Sequence, residues 1–336
     1  MTKLREPTDS FTIKYPKLVE LTDLQLNEFY WKWKEVQVHK DKHQFMTELS
    51  EGEKHAILTA ARLFVKYESF VGNEFWINRV MKMFPRPEVE RLAATFAMVE
   101  LAIHSPFYKA LNTELGLDTD EFWSSYTEDS VLAERMQYLE KFMSGDDDRF
   151  DDRLSLAVFS MMEGAILFSS FALFKSFNSN GHNLLVNFGA GINQSALDEN
   201  LHHEAGAWLF RQDLKESRLS KEAKEELFKK IQDAGRALYE HEEQIIEKFH
   251  EKGDLRGITK EQFKTFIKSR INYCLNNFGI DPIFDIANEP NPVEGWFGTK
   301  IKGYIANDIF NTLGREYSSR FVESKYKWVV QNEETS

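Results

Sequence analysis

Between Leu154 and Phe174 the chain is apolar or neutral except at its middle, where Glu163 stands among Phe159, Met161, Met162, Ile166, Leu167 and Phe168. Burying a carboxylate in such surroundings is costly unless a cation or a metal ion meets it. The fold must therefore deliver a partner to Glu163. A structural salt bridge is the plain alternative, and a metal site is the chemically sharper one. The same glutamate interrupts the best candidate for the run of about 18 apolar residues that a membrane helix needs.

Only 17 Gly and 8 Pro occur in 336 residues, and 42% of the chain is hydrophobic, with 28 Phe. That balance suits long helices with short connections around a large core. Residues 1–49 read as an irregular arm with one aromatic cluster, Phe29-Tyr30-Trp31-Lys32-Trp33. Ser50 and Glu53 form a capping-box pattern, and apolar residues then recur at helical spacing from Ile57 to Val80 before Pro85 and Pro87. Further helices are predicted over 88–115, 120–143, 151–177, 184–212 and 221–252. Thr259 and Gln262 cap one more, ending near Asn277, and 281–298 reads as loop. This divides the chain into an arm (1–49), a helical domain (50–316) and a tail (317–336).

Two of the helices present an acid and a histidine at helical spacing. Glu199 and His202 are three apart and Glu100 and His104 four apart, so each pair shares a helix face. Each pair is preceded by one more acid in an apolar helix: Glu68 lies 32 residues before Glu100, and Glu163 lies 36 before Glu199. Four carboxylates and two imidazoles aimed into a helical bundle are the ligand set of ferritin-like dimetal proteins. Carboxylates bridge and balance two cations, and each imidazole adds a directional nitrogen. His203 is also four residues from Glu199, which leaves open which histidine is the ligand. Glu247 and His250 repeat the spacing among Glu240, Glu242, Glu243 and Lys252, and read as a solvated face.

With these motifs the chain resembles the small, radical-generating subunit of class I ribonucleotide reductases over roughly residues 25–300. Asp198-Glu199-Asn200-Leu201-His202, Met162-Glu163-Gly164-Ala165-Ile166, Glu53-Lys54-His55, Phe29-Tyr30-Trp31 with Glu35-Val36, and Asn291-Pro292-Val293 with Trp296 are similar to segments of that family. The resemblance implies an all-α fold, a ferritin-like helical bundle with additional helices, paired as a homodimer. It implies two metal ions, di-iron or alternatively manganese/iron or di-manganese, about 3–4 Å apart. Glu68, Glu100 and His104 would hold one, and Glu163, Glu199 and His202 the other. It further implies a radical site at Tyr108, a transfer route through His104, Asp198 and Trp31, and a tail tyrosine, Tyr326, near the docking segment for a large catalytic subunit.

Three departures from the family pattern matter. Glu68 stands where most members have Asp, a change seen in the manganese/iron subclass, which usually has Phe at the position of Tyr108. The first motif has Leu101, not an acid, three residues before His104, as though the helix held one extra residue. At about 100° per residue, pairs three and four apart are offset by about 60° and 40°, so Glu100 still faces the site. A π-bulge between Glu100 and Pro106 would take up the extra residue and displace Tyr108. Charge selects Glu100 as well: two divalent ions bring four positive charges, and Glu68, Glu163 and Glu199 supply only three negative ones.

The composition excludes other readings. A net charge of −12 without a basic stripe argues against nucleic acid as a partner. One cysteine, Cys274, gives no disulfide framework and fits a reducing cytoplasm. It also cannot supply the several thiols that ribonucleotide reduction uses, so substrate would bind a separate subunit while this chain reacts with O₂. A ferritin-like oxidase or hydroxylase for a small apolar substrate is the competing reading, marked by a large apolar pocket beside the metals.

Overall fold

The computed structural model describes residues 2–8, 10–143, 149–286 and 291–298. Among them all regular structure is helical. Helix α1 is Pro16–Asn27. Helix α2 runs from 51 to 83, α-helical over Glu51–Phe70, π-helical over Val71–Val80 and α-helical again over Met81–Met83. Helix α3 spans 87–114, with a π segment at Glu100–His104 between Pro87–Val99 and Ser105–Glu114. Then come α4 (Asp120–Glu128), α5 (Ser130–Glu140), and α6 over 149–176 with a π segment at Met162–Ile166. Helices α7 (Val186–Glu216), α8 (Lys221–Phe249) and α9 (Lys260–Phe278) follow, and a short helix, Lys42–Thr47, lies in the arm before α2.

Capping accounts for the ends. Ser50 Oγ accepts from Glu53 N at 3.2 Å while Glu53 returns a bond to Ser50 N at 2.8 Å, and Thr259 with Gln262 does the same for α9. Proline opens α3 at its first position, where a missing N–H costs nothing. Gly279 closes α9 in the left-handed conformation at φ 78°.

Three elements differ from their sequence-based description. The arm is not irregular: α1 buries Leu18, Leu21, Thr22 and Gln25, packing against α3 and α7. Its apolar face is short and flanked by charge, which hides its period. The single helix predicted over 120–143 is two, because Asp129 turns its carboxylate onto the backbone N–H groups of Val131 and Leu132 and starts a new helix. Residues 292–298, read as loop, are helical.

The core is built from α2, α3, α6 and α7, with α8 and α9 packed along α6. The span Asp151–Ser176 is long and apolar enough to cross a membrane, yet all of its most apolar window is buried inside the protein. It is the central core helix. At one end of α7 the N-terminal residues are tied down by buried ions. Asp213 accepts from Thr2 Oγ1 at 2.7 Å and from Arg5 Nε and a terminal nitrogen at 2.9 and 3.0 Å, and it pairs with Arg153 at 2.8 Å. Asp152 pairs with Arg5 and with Arg79.

Candidate metal centre

Glu68 comes from α2, Glu100 and His104 from α3, Glu163 from α6, and Glu199 and His202 from α7. All six are at most 1% exposed. They fall into two overlapping groups, Glu68–Glu100–His104–Glu199 and Glu100–Glu163–Glu199–His202, in each of which the potential ligand atoms lie within 4.8 Å of one another. Glu100 and Glu199 belong to both. Each imidazole turns Nδ1 inward: His104 Nδ1 is 3.0 Å from Glu100 and 3.2 Å from Glu199, and His202 Nδ1 is 2.8 Å from Glu100 and 3.3 Å from Glu199.

Local backbone geometry brings these side chains together. The π segment Glu100–His104 carries its bond from Ser105 N back to Glu100 O, five residues rather than four. Ser105 Oγ donates to the same carbonyl at 2.9 Å. Pro106, lacking an N–H, cannot bond back to the Ala102 carbonyl, so a regular α-helical ladder is already broken here. The wide turn absorbs the extra residue and sets Glu100 beside both histidines. Opposite it, a Cβ on Gly72 would stand 3.1 Å from Glu100 Cβ and 2.9 Å from Leu101, so only glycine lets α2 approach this closely. Glu163 lies on the third π segment, Met162–Ile166, whose Gly164 carbonyl accepts from Arg270 Nε at 2.8 Å. A side chain at Gly164 would overlap the His203 ring.

His203 faces away from the cluster. Its Nδ1 lies 2.8 Å from Ser160 O and its Nε2 2.9 Å from Asn277, and burial lowers its pKa to about 3. His202 is the histidine within the carboxylate group. The other Glu-x-x-His copy is also a structural feature: Glu247 pairs with Lys260 and Lys264, and His250 is bonded to Ile246 O. Glu242, read as solvated, is instead fully buried against Arg135 and Ser169.

The electrostatics separate this cluster from a salt bridge. Both oxygens of Glu68, Glu163 and Glu199 lack a hydrogen bond among the described residues. Burial raises the pKa of Glu68 well above the ordinary range, helped by the charge of Glu100, and burial does the same to Glu163. Glu100 goes the other way: burial pushes it up, but His104 and His202 overcome that and hold it low. The two imidazoles are pushed down by burial and raised further by the carboxylates, Glu100 first among the charges at His104 and the Glu100 hydrogen bond first at His202. Four carboxylates and two nitrogens with no Lys or Arg in ion-pair contact among the described residues suit two divalent cations in charge, in donor type and in open oxygen atoms.

Around the cluster, Asp198 Oδ2 lies 2.9 Å from His104 Nε2 and accepts from Trp31 Nε1 at 2.8 Å, while Gln25 donates to Oδ1 at 2.8 Å. Such a carboxylate fixes the ring so that Nδ1 faces Glu100 and Glu199. Tyr108 is buried, stacked on Phe64 at 4.1 Å between ring centres, and its hydroxyl donates to Ser195 at 3.1 Å. Tyr326 lies outside the described residues. Gln25, Ser195, Tyr67 and Trp76, whose ring stands edge-on to His202 at 5.8 Å, were not found from sequence. Of these only Trp76 stood in an apolar helical pattern, and Gln25 fell in the arm read as irregular.

A bundle of long helices with a buried carboxylate–imidazole cluster at its centre defines a dimetal-carboxylate protein. Residues 8–292 match the family described as "Ribonucleotide reductase, small chain", and the chain belongs to that family. It is 24% identical over 320 residues to a probable ribonucleoside-diphosphate reductase small subunit of Invertebrate iridescent virus 3, covering 89% of this chain and 81% of that protein. Among solved structures it is similar to the dimanganese(II) NrdF of Streptococcus sanguinis (TM-score 0.73, 19% identity, 89% and 99% of the two chains). A putative class I ribonucleotide reductase of Bacillus halodurans aligns with TM-score 0.74 at 20% identity over 86% and 100%. The activity is that of an oxidoreductase small subunit, working with a large subunit that reduces the ribonucleotide.

Proposed function

We propose that Glu68, Glu100 and His104 hold one metal ion and Glu163, Glu199 and His202 the other, with Glu100 and Glu199 shared between them. The observation that carries this is the pair of overlapping buried ligand groups meeting at those two glutamates. The ions are iron or manganese; the Streptococcus sanguinis relative is described as dimanganese(II). When bound, they supply reactivity towards O₂ and the means of keeping an oxidising equivalent.

The chain's own residues do the rest. The shared Asp198 oxygen joins the His104 ring to the Trp31 indole in one hydrogen-bonded row, and Gln25 holds that carboxylate in place. Trp31, 7% exposed, is the end of the row nearest solvent. This row is the route by which the equivalent leaves towards the large subunit, with Tyr326 in the tail 317–336 continuing it. The hydroxyl of buried Tyr108 donates to Ser195, a neutral hydroxyl and a poor base for the proton a phenol must lose on oxidation, so the equivalent is kept at the metal centre and not as a stable radical on Tyr108. The subunit works as a homodimer in the cytoplasm. The oxidase reading gains no support from the cavity of about 790 Å³ over α3, which is lined by Trp33, Leu101, Pro106 and Phe107 and by none of the six ligands.

The test is Glu199→Ala. Metal analysis should fall below two ions per chain, and electron paramagnetic resonance of the O₂-exposed protein should lose the wild-type dimetal signal. Retention of two ions with unchanged spectra would sink the assignment. A stable tyrosyl signal in the wild type that disappears in Tyr108→Phe would move the stored equivalent onto that phenol.

A further inference from the structure

Tyr67 immediately precedes Glu68 on α2 and is 0% exposed. Its hydroxyl has no hydrogen-bond partner among the described residues. The charges of Glu163, Glu199, Glu100 and Glu68 all bear on it, with Glu163 the strongest. This is a different situation from Tyr108, whose hydroxyl is satisfied by Ser195. A buried hydroxyl without a partner is destabilising, and folded proteins rarely leave one so. Here a donor on the residue next to a proposed ligand, and the oxygens of Glu68, Glu163 and Glu199, all lack hydrogen bonds among the described residues. A single oxygen held among the carboxylates would give the phenol an acceptor and serve both needs.

We propose that Tyr67 is a positioning residue of the dimetal centre, its hydroxyl donating a hydrogen bond to a solvent oxygen held by the metal pair. The inference rests on the dimetal reading above and adds to it a seventh side chain, one that carries no ligand atom. It gives a physical reason for a phenol here: the ring fills the core beside Glu68, and its single O–H fixes how solvent sits on the metals. Phenylalanine would fill the same space and leave that solvent unheld.

The experiment compares wild type, Tyr67→Phe and Tyr108→Phe, each purified without metal and titrated anaerobically with Mn(II), with Co(II) loading as a spectroscopic probe. Tyr67→Phe should fold with an unchanged or higher melting temperature without metal, because an unpaired buried hydroxyl has been removed. Its Mn(II) affinity should drop by about fivefold, the scale of one hydrogen bond, and its Co(II) visible bands should change in position or intensity. Tyr108→Phe should leave the Co(II) bands as in the wild type. A purely structural role for Tyr67 would move the metal-free melting temperature alone; Mn(II) affinity and Co(II) bands matching the wild type would overturn the proposal. If the wild type itself fails to take up two ions, the dimetal reading falls first and Tyr67 with it.

Discussion

Two buried charged clusters lie along α7, and they are finished to different degrees. Near its C-terminal end, Asp213 is met by Arg5, Arg153 and Thr2, and the neighbouring Asp152 by Arg5 and Arg79. Each carboxylate there has guanidinium partners from this same chain. In its middle, Glu199 is buried together with Glu68, Glu100 and Glu163, and among the described residues two imidazoles are what the protein offers in return. The first cluster can be completed by folding alone. The second is stable in its charged form only when cations arrive from outside. Burial by itself therefore does not mark a functional site; burial of unbalanced charge does.

The difference can be broken most strongly at Asp213. Asp213→Ala strands Arg5 and Arg153 in the interior and should lower stability by about 3–5 kcal/mol, the usual cost of removing one partner of a buried pair; chemical denaturation of the metal-free protein measures it. A loss under 1 kcal/mol would mean that solvent reaches the guanidinium groups.

The metal centre should respond in the opposite sense, gaining stability from added ions. Mn(II) at a hundred times its dissociation constant should stabilise the folded chain by about 2.7 kcal/mol, seen as a rising melting temperature across a titration. Glu100→Ala, which removes a carboxylate common to both groups, should abolish most of that gain. A variant that still responds like the wild type would show that Glu100 is not shared.

The smallest effect is on acid stability. Burial pushes the Asp213 carboxyl up, but the Arg5 hydrogen bonds and the charges of Arg5 and Arg153 outweigh it and hold its pKa below the usual range of an aspartate. A depressed carboxylate contributes stability above its unfolded pKa and loses it as pH falls through the folded one. Metal-free wild type should thus lose this contribution only below about pH 4, and Asp213→Asn should show a shallower decline over that range. Identical acid limbs for the two proteins would contradict the role given to the arginines.

Much of this was legible in the residues themselves. Long helices followed from the scarcity of Gly and Pro, and the six clustered residues from acids and histidines repeated at helical spacing inside apolar surroundings. The widened turn at Glu100–His104 could be foreseen because one surplus residue and Pro106 both conflict with a regular ladder. Other features left no local trace. Asp129 as a helix start depends on where its carboxylate turns, and α1 shows its buried face only against α3 and α7. Gln25 and Ser195 gain their meaning from partners far away in the chain, as in the 173 residues between Gln25 and Asp198, and Tyr67 gains its own from burial without one. Nothing in a single sequence separates such contacts from ordinary core packing.

The π segment at Glu100–His104 also bears on how such a chain tolerates length change. A helix interior normally forbids an added residue, since everything beyond it rotates by about 100°. Here the broad turn confines that rotation to a few positions, so α3 keeps its phase on both sides: Phe96 still packs against His202, and Phe107 still meets Trp31. Removing Ala102 would leave Glu100 three residues before its histidine, the spacing already present at Glu199 and His202. Insertion and deletion are therefore interchangeable moves at this turn, and the gap between acid and histidine can drift by one residue without dismantling the bundle that surrounds it.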